Sequence, residues 1–248
     1  MIYLPGRYLI MDIKETCIEL NRILHMSPED MLLVIGLVKC AHKKEIVEIK
    51  ELEKEFLEDI TDESVKQIVI MLLNNQDVQN NWMRLCSIVD DTPINIEETY
   101  HIICEISRIY RNDMILTPSY IGELCYKILD VNENDILYDP CMGLGNVLIP
   151  SNAKHIIGIE SVPMLYAIAY IFSFIYEKDA YLVQGDCRRI KLQYKPNKCI
   201  LNPPYTMGTL DSPEDYELSY IHNALNALEK GGKLACIVPQ SVLHINKI

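Results

Sequence analysis

Through its N-terminal portion the chain repeats apolar residues at helical spacing and nearly excludes glycine, with only Gly6 and Gly36 before Asn112. Ser27-Pro28-Glu29-Asp30 reads as a helix start: a hydroxyl cap, Pro at the first helical position and acids in the first turn, ahead of the apolar positions of Met31 to Cys40. Glu45 to Ile60 is charged but keeps Ile46, Ile49, Leu52, Phe56 and Leu57 near one face. Thr61 or Asp62 can cap a helix carrying Ile68, Ile70, Met71 and Leu72, and others are predicted over about 78–89 and 95–111. Residues 1–112 are therefore predicted to form an all-helical domain. It either docks a partner or nucleic acid or covers the domain that follows, and no repeat marks it as a solenoid.

Near Asn112 the pattern changes. Thr117-Pro118 opens a predicted helix over about 118–129, and short apolar, β-branched runs then alternate with helices. Strands are predicted near 135–138, 155–159, 180–184, 198–202 and 233–238, with helices over about 162–177 and 213–229. Strand–helix alternation with nearly all-apolar strands is the pattern of a parallel sheet covered on both faces. Such sheets bind ligands at the carboxyl ends of their strands, so candidate chemistry is sought there in a second domain, 113–248.

The first strand runs into Asp139-Pro140-Cys141-Met142-Gly143-Leu144-Gly145-Asn146. Gly143 and Gly145 allow a tight turn and close approach of a ligand to the backbone. A dinucleotide fingerprint would place a third glycine where Leu148 stands, and an acid before the loop suits an ammonium group better than a phosphate. The second strand ends in Glu160, placed to accept ribose hydroxyls. The third ends in Gly185-Asp186-Cys187, where a carboxylate can accept from an adenine amino group. The fourth ends in Asn202-Pro203-Pro204-Tyr205. Its prolines lack an N–H and hold the loop extended. The Asn202 side-chain oxygen and the Pro203 carbonyl can then grip both N–H bonds of an exocyclic amine, while Tyr205 offers a ring face to a flat base. Polar groups at successive ends of buried strands each need a use. Together they describe a site for S-adenosylmethionine beside an amine-activating loop.

Composition narrows the setting. Nine cysteines without a Cys-x-x-Cys pair fit a reducing compartment, and the dispersed histidines give no metal-ligand spacing, so no metal is expected. No membrane-length apolar run or signal peptide is seen, and a cytoplasmic location is expected. A net charge of −12 argues against a broad grip on nucleic acid. The local exception is Cys187 to Lys198, with Arg188, Arg189, Lys191, Lys195 and Lys198 and no acid, just before the proposed catalytic loop, where it either meets a phosphate backbone or forms a solvated basic edge.

With these residues assembled, the chain resembles the DNA adenine-N6 methyltransferases, and among them the modification subunits of type I restriction–modification systems. The similar stretches are Thr117-Pro118-Ser119-Tyr120-Ile121, the Asp139-Pro140 glycine loop, Gly158-Ile159-Glu160, Gly185-Asp186, Asn202-Pro203-Pro204-Tyr205 and Gly231-Gly232-Lys233-Leu234-Ala235-Cys236-Ile237-Val238-Pro239. The resemblance implies a Rossmann-like S-adenosylmethionine-dependent methyltransferase sheet, C-terminally truncated, after the helical domain. It implies that Thr117, Asp139, Pro140, Gly143 and Gly145 hold the methionine end of the cofactor, Glu160 its ribose, and Asp186 with Cys187 its adenine. Asn202, Pro203, Pro204 and Tyr205 would form the catalytic loop acting on a flipped adenine. The implied partners are DNA and the specificity and restriction subunits. Leu144 departs from the small hydroxyl residue usual at its position. The readings left open beside it are a protein-glutamine N5 methyltransferase, an RNA adenine methyltransferase and a truncated, non-catalytic subunit.

Overall fold

The structure, a computed structural model, describes residues 12–89, 94–109, 116–204 and 213–240, with the backbone alone for 213–216. It divides into two compact units: residues up to Thr61 together with Val69–Arg111, and Asp62–Ile68 together with the chain from Asn112 onward.

The first unit is helical. Its elements are α1 (Ile13–Ile23), α2 (Pro28–Lys43), α3 (Ile49–Asp59), the later part of α4 (Glu63–Leu73), α5 (Gln76–Ile88) and α6 (Ile96–Ser107). The centre is α2, whose residues Met31 to Val38 are buried on every side, as expected of a helix apolar all round. The Ser27 hydroxyl caps it by accepting from the Asp30 N–H at 3.1 Å. A buried acid in its first turn, Glu29, accepts from the Tyr100 hydroxyl at 2.8 Å. The helix expected from Glu45 begins four residues later, at Ile49. Glu45 takes φ +58°, and the Ile46 N–H reaches the Ala41 carbonyl at 2.9 Å, so these residues close α2 instead.

The second unit is an α/β layer structure. Helix α7 (Ser119–Leu129) leads into β1 (Ile136–Asp139). Then come β2 (His155–Glu160), α8 (Pro163–Ile175), β3 (Asp179–Gln184), β4 (Lys198–Leu201), α9 (Pro213–Ala227) and β5 (Lys233–Cys236). The strands pair in the order β3-β2-β1-β4-β5, all parallel. The chain steps outward from β1 through β2 to β3, then crosses back to β4, which puts a switch point between β1 and β4. The registers Asp139↔Gly158, Glu160↔Gln184 and Tyr138↔Cys199 bring the carboxyl ends of β1, β2, β3 and β4 to one edge of the sheet. Strands β1, β2 and β4 carry Leu137, Tyr138, Ile156, Ile157, Ile159, Cys199, Ile200 and Leu201, each at most 2% exposed, which is why they read as unbroken apolar runs. Among the described residues, the β1–β2 and β3–β4 connections are turns and extended chain without an α-helix. No described helix is long and apolar enough to cross a membrane.

Candidate active site

The glycine loop after β1 is folded by its own backbone and by Glu160. The Met142 N–H returns to the Ile159 carbonyl at 3.0 Å, and the Gly145 N–H to the Met142 carbonyl at 2.8 Å. The Glu160 carboxylate accepts from the Gly143 N–H at 2.9 Å and from the Val162 N–H at 2.7 Å. Gly143 and Gly145 take φ +55° and +74°, the left-handed region that disfavours side chains. A Cβ at Gly143 would meet nothing within 4 Å, so the backbone there is open to a ligand. A Cβ at Gly145 would stand 2.5 Å from Ile149 Cδ1, so that glycine serves packing. Leu148, where a dinucleotide loop has glycine, is 1% exposed and belongs to the core.

Asp139 ends β1 in a buried position, with Oδ1 accepting from the Cys141 N–H at 2.9 Å. Burial pushes its carboxyl up from 3.8 to about 7; the Cys141 amide works against this and the nearby Glu160 charge adds to it. A buried carboxylate balanced near neutrality beside a second carboxylate favours a cationic ligand. Pro140 beside it is buried and stiffens the turn.

Asn202 follows β4 and donates through Nδ2 to the Thr117 hydroxyl at 2.8 Å. The Thr117 carbonyl accepts from Asn146 Nδ2 at 2.7 Å. Thr117 thus ties the glycine loop to the loop after β4, and the bond to Asn202 points the amide oxygen away from Thr117. Pro203 is buried and Pro204 exposed, and the Ile237 N–H holds the Leu201 carbonyl at 2.8 Å just before them. Tyr205, predicted to stack on the base, lies outside the described residues.

At the end of β3 the Asp186 carboxylate is engaged within its own loop. Arg188 donates through Nε to Oδ1 at 3.0 Å and through Nη2 to Oδ2 at 2.8 Å, and its guanidinium holds the carboxyl below the usual carboxylate range. An adenine amino group at Asp186 would share these oxygens with Arg188. Cys187 is 3% exposed and packs with Tyr138, Leu201 and Tyr220, so its thiol faces the core rather than a ligand. Contact with Cys187 and burial raise the Cys141 thiol far above its ordinary value, making it a poor nucleophile.

The loops at the carboxyl edge of the sheet therefore pair Thr117 with Asn202 and Gly143 with Glu160, with Asp139 at the head of the same glycine loop. Two participants carry no role that the sequence alone would assign. Asn146 is visible as the end of the glycine motif, but its partner lies 29 positions away. Arg188 is visible only as part of a basic run.

Over 154 residues the chain is 31% identical to the type II restriction enzyme and methyltransferase RM.BcgI of Heyndrickxia coagulans, a match covering 52% of this chain and 24% of that protein. About half of this chain is thus similar to part of a restriction–modification enzyme. The chain spans about a quarter of the curated relative it matches, and no known family model matches it. Among solved structures, a type I restriction–modification methyltransferase subunit of Streptococcus thermophilus superposes with a TM-score of 0.56 at 16% identity, covering 87% of this chain and 57% of that one. A protein of Listeria monocytogenes described as a class I S-adenosylmethionine-dependent methyltransferase superposes with a TM-score of 0.54 at 14% identity, over 88% and 75% of the two chains. The chain thus has the Rossmann-like methyltransferase fold.

Proposed function

We propose that the chain is the catalytic portion of a DNA adenine-N6 methyltransferase from a restriction–modification system. The cofactor is S-adenosylmethionine, which when bound supplies an electrophilic methyl group on a sulfonium. The donor set suits it. Asp139 would face the cationic methionine end with Thr117, Pro140 and the Gly143–Gly145 loop beside it, Glu160 would accept from the ribose, and the segment Asp186-Cys187 would border the adenine ring.

The observation that carries the reading is the Asn202–Thr117 hydrogen bond. An adenine amine is a weak nucleophile because its lone pair is delocalised into the ring. With its nitrogen end held by Thr117, the Asn202 amide presents its oxygen as an acceptor for one N–H, and the Pro203 carbonyl accepts the other. Drawing on both N–H bonds returns electron density to nitrogen and holds it in an attacking geometry, so orientation supplies most of the rate. Pro204 keeps the loop extended, and Tyr205 is assigned to the face of the flipped base. The chemistry needs no covalent enzyme intermediate, consistent with the raised Cys141 thiol. DNA is the substrate, the cytoplasm is the setting, and the type I-like character suggests separate specificity and restriction subunits as partners.

The test pairs two variants in a methyl-transfer assay with mass-spectrometric identification of the methylated base. Asn202→Ala is expected to abolish transfer while leaving cofactor affinity nearly intact, and Asp139→Ala to weaken cofactor binding itself. Equal cofactor affinity in both variants and the wild type would sink the site assignment. Methyl groups on RNA or on a protein glutamine, with none on DNA, would overturn the substrate.

A further inference from the structure

The connection from β3 to β4 lies against α9. Asn223 Nδ2 donates to the Cys187 carbonyl at 3.1 Å, and the Arg188 guanidinium stands 4.9 Å from the Tyr220 ring centroid. Ile190 and Leu192 pack on the core group that includes Tyr220, Ala224 and Leu228. The connection exposes its cations along a groove of about 330 Å³ whose lining also includes the partly buried Ile190 and Leu192. Among the described residues, Arg189, Lys191 and Lys195 line it together with Tyr194, Asn223 and Asn226, and no carboxylate does.

The groove's charge is left largely uncompensated. Asp186, the acid at the head of the connection, is engaged by Arg188, and Arg189 approaches it only at 3.9 Å with a side chain 87% exposed. Among the described residues Lys191 and Lys195 form no ion pair. Such a convergence of cations repels itself, and it stands out in a chain of net charge −12. Tyr194 is 59% exposed beside them, with its ring set edge-on against Tyr181 at 5.9 Å.

We propose that this groove binds the phosphodiester backbone of a nucleic acid at a site distinct from the methyl-transfer loop. The three cations neutralise successive phosphates, the Asn223 and Asn226 amides supply neutral donors to phosphate oxygens, and the Tyr194 ring forms an apolar wall for a sugar or an unstacked base. Acidic side chains of a protein would satisfy the lysines but leave the ring and the amides unused. The proposal rests on the nucleic-acid reading of the neighbouring loop, yet the two fail separately. Asn202→Ala leaves groove binding intact, and a groove variant with undiminished oligonucleotide affinity leaves the methyl-transfer assignment standing.

The test is fluorescence anisotropy of the full chain with a labelled duplex across a salt series. In the triple variant Arg189→Gln, Lys191→Gln, Lys195→Gln, the slope of log K against log salt is expected to shrink by about 3, at about 0.9 for each phosphate that is no longer neutralised. A control variant, Lys14→Gln, Lys54→Gln, Lys127→Gln, removes the same charge outside the groove and is expected to keep most of the slope. Retained S-adenosylmethionine affinity shows that the groove variant is folded. No duplex binding by the wild type, an equal reduction in the control variant, or equally tight binding of polyglutamate would overturn the proposal.

Discussion

Replacing Asp139 with Asn separates the two effects of its buried carboxyl. The side chain is 6% exposed, and its carboxyl is raised from 3.8 to about 7 chiefly by burial. Because the folded value lies above the unfolded one, the fold favours the neutral carboxyl. That contribution is fully present below pH 3.8 and is lost as pH rises through about 7. The displacement corresponds to about 4 kcal/mol. Urea denaturation from about pH 4 to about pH 8 should therefore show the wild type losing up to about 4 kcal/mol relative to Asp139→Asn, then levelling. Cofactor binding should respond in the opposite direction. A cationic ligand favours the ionised carboxylate, so wild-type affinity for S-adenosylmethionine should rise about tenfold per pH unit below neutrality and flatten above it. Calorimetry in buffers of different ionisation enthalpy should detect about one proton released per cofactor at acidic pH, and none in Asp139→Asn. Parallel stability curves for the two proteins, together with pH-independent wild-type affinity, would refute the reasoning.

Two further substitutions read the site's geometry. Thr117→Val removes the hydroxyl that holds Asn202 and is expected to lower kcat about 10²-fold, a larger effect than its effect on cofactor affinity. Thr117→Ser should restore most of the rate, and loss of cofactor affinity instead would mean that Thr117 serves the cofactor alone. Gly145→Ala combines φ +74° with a 2.5 Å approach to Ile149 Cδ1, and should lower stability by about 1–3 kcal/mol in urea denaturation with an unchanged m-value. Gly143→Ala meets open space and should cost only about 1 kcal/mol from its backbone. A larger loss at Gly143 than at Gly145 would contradict the packing described for the loop.

Much of this protein was legible along the chain because the signals are local. The cap at Ser27, the helices α5 and α6 and the five apolar runs of the second unit all express periodicities that fit within a dozen residues. Glu160 and Asn202 could be singled out because each follows such a run, where a polar group at a buried strand end needs a use. The Glu45 turn escaped notice because a left-handed glutamate has no signature in hydrophobic spacing.

What the chain order could not supply was adjacency. The strand order β3-β2-β1-β4-β5 follows from how the runs pair, and that pairing alone places Asp139, Glu160 and Asn202 on one edge. The Asn202–Thr117 bond joins residues 85 positions apart, and no window on the sequence spans them. The raised carboxyl of Asp139 also depends on the fold. Residue types and periodicity determined which groups exist and which runs are buried; packing decided which polar atoms meet and how far each is removed from water, and those two quantities set the chemistry of the site.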